Sequence, residues 1–80
     1  MLPQIETLGA NQTVVITIDE GKCFFSYDRF IAQKKDGVLY VTDFWDYSAT
    51  TLKYFKEAFR LGLTKKEIQQ MIDMGEIKKM

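Results

Sequence analysis

Histidine is absent from this sequence of 80 residues, which also contains one cysteine and one proline. The lack of histidine removes the commonest general base and excludes Cys/His and Ser/His/Asp nucleophilic sites. Cys23 has no second cysteine for an intrachain disulfide, and without histidine a structural zinc site has no ligands. The five glycines form no phosphate-binding pattern. We therefore expect a protein that is not an enzyme and uses no cofactor or metal.

An excess of positive charge is also lacking, since eleven Lys and Arg residues balance eleven Asp and Glu residues. Non-specific binding of nucleic acid needs a basic excess to neutralise phosphates, so nucleic acid is the less favoured partner. No apolar run approaches the about 20 residues that span a bilayer, and the first residues lack the charged and apolar regions of a signal peptide. A cytoplasmic protein with no membrane partner is the resulting expectation.

Alternating β-branched and aromatic residues occupy the middle of the chain, between residues 13 and 42. This period of two is typical of strands, and Lys35-Asp36-Gly37 is a strong hairpin turn because glycine accepts positive φ. The pattern predicts a meander of three or four antiparallel strands. Residues 1–11 show no period and contain a proline and a glycine, so they are interpreted as a loose or edge-packed lead-in.

Two helices are predicted after the strands, over residues 48–61 and 65–74. In the first, apolar residues recur at helical spacing, with Ser48 as the N-cap and Gly62 as the C-terminal stop. In the second, Thr64 and Glu67 have the spacing of a capping box. Because strands precede helices, we expect one α+β domain over residues 1–80, with both short helices packed on one face of the antiparallel sheet.

The densest group of chemically informative side chains lies between residues 40 and 54, where five aromatic residues are mixed with acidic, hydroxyl and lysine residues. Five rings exceed what so small a core can bury, and aromatic residues at a strand-to-helix corner are favoured anchors of protein interfaces. An alternative is that Phe44 and Trp45 fill the junction between sheet and helix. The candidate partner-binding residues are Trp45, Tyr47, Lys53 and Tyr54.

Nucleic acid and a second copy of the chain are the alternative partners. Aromatic rings stack with bases, and lysines contact phosphates. The candidate nucleic-acid contacts are Tyr47, Lys53, Tyr54, Lys65 and Lys66. The helices have the loop length of a helix-turn-helix, but Asp73 opposes the lysines, and an ordinary helical hairpin that caps the sheet is favoured. A homodimer would protect surplus aromatic residues and an open sheet edge.

A ten-residue string resembles a signature of short, uncharacterised proteins of bacteriophages and mobile elements. It reads Trp45-Asp46-Tyr47-Ser48-x-Thr50-Thr51-x-Lys53-Tyr54. The similarity extends over residues 26–78 and departs from the family pattern at residues 58–63. The resemblance implies a phage accessory protein in the cytoplasm of a bacterial host and implies no activity. Together with the aromatic residues, it favours a protein-binding module that engages or inhibits a host protein.

Overall fold

Six strands form one sheet in the computed structural model of the protein, which describes residues 4–80. The strands are β1 (Gln4–Gly9), β2 (Gln12–Thr17), β3 (Gly21–Ser26), β4 (Arg29–Lys35), β5 (Val38–Val41) and β6 (Lys78–Lys79). They lie in sequence order, and neighbours are antiparallel except β5 and β6, which are parallel. Two helices, α1 (Ala49–Ala58) and α2 (Lys65–Asp73), connect β5 to β6. The α+β class is confirmed, whereas the sheet has more strands than the three or four expected.

Strand β1 lies at the edge of the sheet, within the residues expected to form a loose or edge-packed lead-in. Its backbone pairs with β2, with Gln4 opposite Ile16. Most of its side chains are exposed, and Ile5 is 66% exposed. An edge strand that is held mainly by backbone hydrogen bonds needs no apolar period, so the sequence pattern does not reveal it. The first three residues of the expected lead-in lie outside the described residues.

Strand β6 has no signature in the sequence either. It consists of two exposed lysines, Lys78 and Lys79, which lie parallel to β5. The preceding Ile77 is buried in the core, and the Met80 N–H donates to the Val41 carbonyl at 2.8 Å. These contacts return the chain from α2 to the sheet.

Two hairpins of the sheet are closed by two-residue loops in which both residues have positive φ. Asp36 and Gly37 connect β4 to β5 with φ of 53° and 78°, at the turn expected there. Tyr27 and Asp28 connect β3 to β4 with φ of 51° and 65°. Positive φ at both positions is the type I′ geometry, which matches the twist of the strands and is dominated by Asn-Gly and Asp-Gly. Tyrosine is unusual in this turn, because its Cβ crowds the backbone.

Both helices have the N-caps that the sequence predicts. The Ser48 hydroxyl accepts a hydrogen bond from the Thr51 N–H at 3.1 Å. Thr64 and Glu67 form the reciprocal hydrogen bonds of a capping box at the start of α2. No helix within residues 4–80 is long and apolar enough to cross a membrane.

The end of α1 differs from the prediction, because Gly62 is not the residue that stops it. The helix reaches its C-cap at Phe59, and Arg60 then takes the left-handed conformation with φ of 53°. This conformation lets the Leu61 N–H donate to the Lys56 carbonyl at 2.8 Å, which is the hydrogen bond of a Schellman motif. The local hydrogen bonds therefore end the helix earlier than the glycine position suggests.

The core lies on the face of the sheet that α1 covers, and Ile68 of α2 belongs to it. The expectation of two C-terminal helices on this face holds in part, because both helices precede strand β6 in the chain. Helix α1 packs on β2 and β3 and buries Thr51, Phe55 and Ala58, whereas the buried side chain of α2 is Ile68. The buried apolar residues are Val14, Phe24, Ile31, Ala32, Val41, Trp45, Phe55, Ala58, Ile68 and Ile77. The helices thus hold the β5–α1 segment against the sheet.

The opposite face of the sheet points away from this core, yet it is rich in apolar side chains. Strand pairing places Val15 beside Cys23, and it places Phe25 beside Phe30 with ring centroids 5.4 Å apart. Tyr40 lies on the same face. We call these five half-buried residues the outer sheet face. Strands with apolar residues on both faces are typical of sheets that are covered on both sides.

Candidate functional site

The segment between β5 and α1 sends its aromatic side chains in opposite directions. Its backbone is turned by hydrogen bonds from the Trp45 N–H to the Thr42 carbonyl and from the Tyr47 N–H to the Phe44 carbonyl. Trp45 is 2% exposed, and its ring centroid lies 6.3 Å from that of Phe55. Phe44 and Tyr47 are 37% and 58% exposed. Trp45, a candidate for partner binding, is therefore a core anchor that presents its neighbours to solvent.

Arg29, the first residue of β4, contacts both exposed rings of this segment. Its guanidinium carbon lies 4.6 Å from the ring centroid of Phe44 and 5.5 Å from that of Tyr47. The two rings meet edge to face, with centroids 6.4 Å apart. Cation–π contacts at exposed sites contribute about 0.5–1 kcal/mol. Within residues 4–80 the Arg29 guanidinium has no carboxylate partner, so its positive charge remains free.

Tyr27 adds a third exposed ring next to Arg29. Its side chain is 50% exposed, and its N–H donates to the Asn11 carbonyl at 2.8 Å. This hydrogen bond joins the β1–β2 loop to the β3–β4 loop. Asn11 also has positive φ, at 62°. We call Tyr27, Arg29, Phe44 and Tyr47 the aromatic–arginine surface.

A cavity of about 440 Å³ lies within this surface. It is lined by Tyr27, Arg29, Tyr47, Ser48 and Thr50, so its walls come from the β3–β4 turn, from the β5–α1 segment and from the first turn of α1. Arginine is the charged residue of this lining, and the other four side chains carry hydroxyl groups. The cavity can therefore accept an anionic or hydrogen-bonding group beside an apolar one.

The aspartates that directly precede Phe44 and Tyr47 in the sequence are engaged with lysines. Asp43 Oδ1 lies 2.9 Å from Lys79 Nζ, and Asp46 Oδ2 lies 3.7 Å from Lys65 Nζ. These ion pairs tie the segment to β6 and to the start of α2. No three side chains within residues 4–80 form a set that could hold a metal ion.

Buried polar side chains link the same end of the sheet to α1. The Ser26 and Thr51 hydroxyls lie 3.0 Å apart, and the Ser48 hydroxyl donates to Thr51 at 3.2 Å. Gln12 pairs with Ser26 across β2 and β3 and is fully buried, yet its side-chain amide has no hydrogen-bond partner within residues 4–80. An unsatisfied buried amide opposes folding, so this end of the sheet is less stable than it could be.

Lys53 and Tyr54, also candidates for partner binding, lie on α1 outside the cavity. The Lys53 ammonium is 5.3 Å from the centroid of the Tyr54 ring. Tyr54 is half-buried and packs against Gly9, where an added Cβ would lie 2.6 Å from the tyrosine hydroxyl oxygen. Neither residue lines the cavity or contacts Arg29. The structure thus separates these two residues from Tyr47.

The lysines of the nucleic-acid alternative lie at the start of α2. Lys65 and Lys66 are exposed, and Lys65 forms the ion pair with Asp46 described above. Thr64 precedes them as the N-cap of the helix. No single cavity of the described residues is therefore lined by all five candidate nucleic-acid contacts, which are Tyr47, Lys53, Tyr54, Lys65 and Lys66.

Tyr27, Arg29 and Phe44 of this surface are not among the candidate partner-binding residues that the sequence predicts, and Tyr27 and Arg29 also lie outside its aromatic cluster. Asp28 stands between two alternating segments, and a two-residue connection between strands is the signal of a type I′ hairpin. Such a hairpin would have placed Tyr27 at an exposed loop tip and Arg29 at the start of a strand. Their proximity to Phe44 depends on strand pairing, which the local sequence does not contain.

Cys23 lies on the outer sheet face and has no role in the cavity. Burial, followed by the nearby charge of Glu20, raises the pKa of its thiol above 9.0. The thiol is therefore protonated at neutral pH and is a poor nucleophile.

Comparison with known proteins adds a family but no described activity. No curated protein and no solved structure matches the chain. A family model described as "Family of unknown function (DUF8033)" matches residues 3–74, a range that includes the whole aromatic–arginine surface. The chain therefore belongs to this family of unknown function, DUF8033.

Proposed function

We propose that this protein is a non-enzymatic protein-binding module whose docking site is the aromatic–arginine surface. The observation that carries the proposal is that Phe44 and Tyr47 contact the Arg29 guanidinium and that Tyr27 shares its cavity lining. Within residues 4–80 this guanidinium has no carboxylate partner. The exposed fractions of the side chains are 50% for Tyr27, 37% for Phe44 and 58% for Tyr47, whereas the neighbouring Trp45 is 2% exposed. Tyrosine and arginine are enriched among the residues that dominate binding energy at protein interfaces.

Two of the rings already have contacts within the free protein, which favours binding. Arg29 contacts both Phe44 and Tyr47, and the buried Trp45 fixes the backbone between them. Each long side chain that is ordered only on binding costs about 0.5–1.5 kcal/mol. Side chains that are held in advance avoid much of this cost, so a small surface can still bind usefully.

The backbone strain at Tyr27 supports the same surface. Left-handed conformation in a residue other than glycine costs about 1–2 kcal/mol and is concentrated at functional sites. Asp36-Gly37 closes the next hairpin with the same positive φ angles but with residues suited to them. A tyrosine at the strained position is explained if its exposed ring takes part in binding.

The biological setting of the proposal comes from the sequence resemblance. The string from Trp45 to Tyr54 resembles that of short phage and mobile-element proteins, and it includes Tyr47, Ser48 and Thr50 of the cavity. We place the protein, on this ground, in the cytoplasm of a bacterial host as a phage accessory protein. Its partner would then be a host protein that it engages or inhibits.

Affinity capture with matched variants tests the proposal. Immobilised wild-type protein and an Arg29→Ala, Tyr47→Ala variant are exposed to lysate of a bacterial host, and bound proteins are quantified by mass spectrometry. We expect at least one partner whose recovery falls about tenfold or more in the variant, as for loss of an interface hot spot. Recovery that is equal for both proteins would exclude this surface.

A control variant is available on a different part of the surface. Ile18 is 71% exposed in the loop that follows β2, and Met74 is 69% exposed at the end of α2. An Ile18→Ser, Met74→Ser variant removes exposed apolar area away from the cavity. It should recover the partner as the wild type does, and thermal unfolding should verify that all three proteins are folded.

Self-association is a second candidate function, favoured by the outer sheet face. Val15, Phe25 and Phe30 are half-buried on a face that no helix of residues 4–80 covers, and contiguous apolar surface marks interfaces. Sedimentation velocity over a range of concentrations tests this candidate. A concentration-dependent dimer that is lost in a Phe25→Thr, Phe30→Thr variant is the expected result, and a monomer at all concentrations removes the candidate.

A further inference from the structure

The cavity of the aromatic–arginine surface has one charge and four hydroxyl-bearing side chains in its lining. Arg29 supplies the charge, and no carboxylate belongs to the lining. The hydroxyls of Tyr27, Tyr47 and Thr50 can each donate a hydrogen bond, whereas that of Ser48 already donates to Thr51. An occupant that complements this lining carries a negative charge and oxygen acceptors.

The contacts and the shape of the Arg29 guanidinium favour a carboxylate as the bound anion. Phe44 and Tyr47 lie against it through cation–π contacts, in which the positive charge faces the rings. Its N–H donors lie in the plane of the group and form a rigid fork that matches the two oxygens of a carboxylate. Bidentate pairs of this kind are stronger and more directional than neutral hydrogen bonds.

Charges around the cavity disfavour a polyanion. Asp28 follows Tyr27 directly and is exposed, and the chain as a whole has a net charge of zero. Lys65 and Lys79, which could add positive charge, are paired with Asp46 and Asp43. A nucleic-acid strand needs several free cations along its backbone. A single carboxylate needs only the one that Arg29 provides.

We infer that the cavity binds a peptide segment of the partner in which an aspartate or glutamate follows an aromatic residue. The carboxylate pairs with the Arg29 guanidinium, and the aromatic side chain packs against the exposed rings of Tyr27 and Tyr47. This inference rests on the proposed function, since it specifies the chemistry of the partner at the same surface. The cavity of about 440 Å³ is large enough for two side chains but not for a folded element.

A pair of peptides that differ in one charge tests the inference. The probe is the peptide Gly-Ser-Trp-Glu-Ser-Gly with both ends capped, so that the glutamate is its sole charge, and the control replaces glutamate with glutamine. Each is titrated into ¹⁵N-labelled protein while backbone and Arg29 side-chain resonances are followed. We expect shifts at Arg29, Tyr47 and Thr50, and an affinity for the glutamate peptide at least about fivefold higher, as for a charge-assisted hydrogen bond.

Two variants assign the charge preference to one residue. Arg29→Gln removes the guanidinium at an exposed position and should abolish the difference between the peptides. Lys35→Gln removes an exposed cation elsewhere in the same strand and should preserve it. Raising the salt concentration should lower the affinity for the glutamate peptide and leave the affinity for the glutamine peptide unchanged.

The outcomes separate this inference from the proposed function. Equal affinity of the two peptides, or no shift with either, overturns the inference. The proposed function survives that result if affinity capture still depends on Arg29 and Tyr47, and it fails if capture does not. A short oligothymidylate is the third probe. Binding of this probe in an Arg29-dependent manner, without binding of the glutamate peptide, would assign the surface to nucleic acid and overturn the inference.

Discussion

Arg60 and Gly75 occupy the same position of the same motif at the ends of the two helices. Each lies one residue beyond a C-cap in left-handed conformation, with φ of 53° and 80°. In both cases the next residue donates to a carbonyl near the helix end, from Leu61 to Lys56 and from Glu76 to Met71. One helix therefore ends on the residue type suited to this conformation and the other does not.

Arg60→Gly should stabilise the protein, because glycine adopts positive φ without crowding at Cβ. We expect an increase of about 0.5–1 kcal/mol in the free energy of unfolding, measured by urea denaturation. Gly75→Ala is the reciprocal control and should cost about 1 kcal/mol, since no atom would touch the added Cβ and the effect is conformational. A destabilised Arg60→Gly variant would mean that the arginine side chain contributes contacts that outweigh the strain.

A double substitution in the β3–β4 turn should raise the stability of the protein and weaken its binding to the partner. Tyr27→Asn with Asp28→Gly replaces the strained residues with the pair that type I′ turns prefer, so the free energy of unfolding should rise by about 1–2 kcal/mol. The same variant removes a ring of the aromatic–arginine surface and should weaken partner capture. Urea denaturation and quantitative capture measure the two effects.

The matched control for this variant is the β4–β5 turn, where Asp36 and Gly37 already have the preferred composition. Gly37→Asp should destabilise the protein without changing capture, because this turn is remote from the cavity lining. If the Asn-Gly variant binds the partner as well as the wild type does, the strain at Tyr27 has no functional explanation in this surface.

Gln12→Met should stabilise the protein despite the loss of a polar group from the core. The Gln12 amide is fully buried, and neither of its polar atoms has a hydrogen-bond partner within residues 4–80. Replacing it with an apolar side chain of similar shape should raise the free energy of unfolding by about 1 kcal/mol or more, measured in urea. Thr51→Val is the contrasting change, because it breaks the hydrogen bond with Ser26 and should destabilise.

The capping box of α2 makes part of the stability depend on pH. The Thr64 backbone N–H and then its side-chain hydrogen bond lower the pKa of Glu67 below its ordinary value of 4.5. Because the folded pKa is lower than the unfolded pKa, this contribution is present above about pH 4.5 and is lost as pH falls through the folded value. Glu67→Gln should be less stable than the wild type at pH 7. The difference in stability between the two proteins should become smaller in acid, as thermal unfolding at several pH values would reveal. A gap that is constant with pH would contradict this role.

The elements that the sequence predicts well are those whose signal is local. Val14 and Phe24 are buried and alternate with half-buried neighbours, and the Thr64–Glu67 capping box needs residues that are three apart. Strands β1 and β6 leave no such signal. Their side chains are mostly exposed, and they exist because their backbones pair with partners that are already in place.

The candidate site is predicted in part for a related reason. A cluster of aromatic residues before α1 is evident in the sequence, but the turns of this segment have no period that would separate the buried Trp45 from the exposed Tyr47. Arg29 reaches these rings only because β4 lies next to β5 and its first residue is at the end where the segment leaves the sheet. That proximity is a property of the whole sheet.

Amide hydrogen exchange of the protein, alone and bound to its captured partner, tests the central claim most directly. Docking on the aromatic–arginine surface should slow exchange in residues 27–29 and 44–50, which contain the exposed rings and the cavity lining. Protection that is confined to residues 13–25, which include Val15, Cys23 and Phe25 of the outer sheet face, would contradict the account. No protection at either site would contradict it as well.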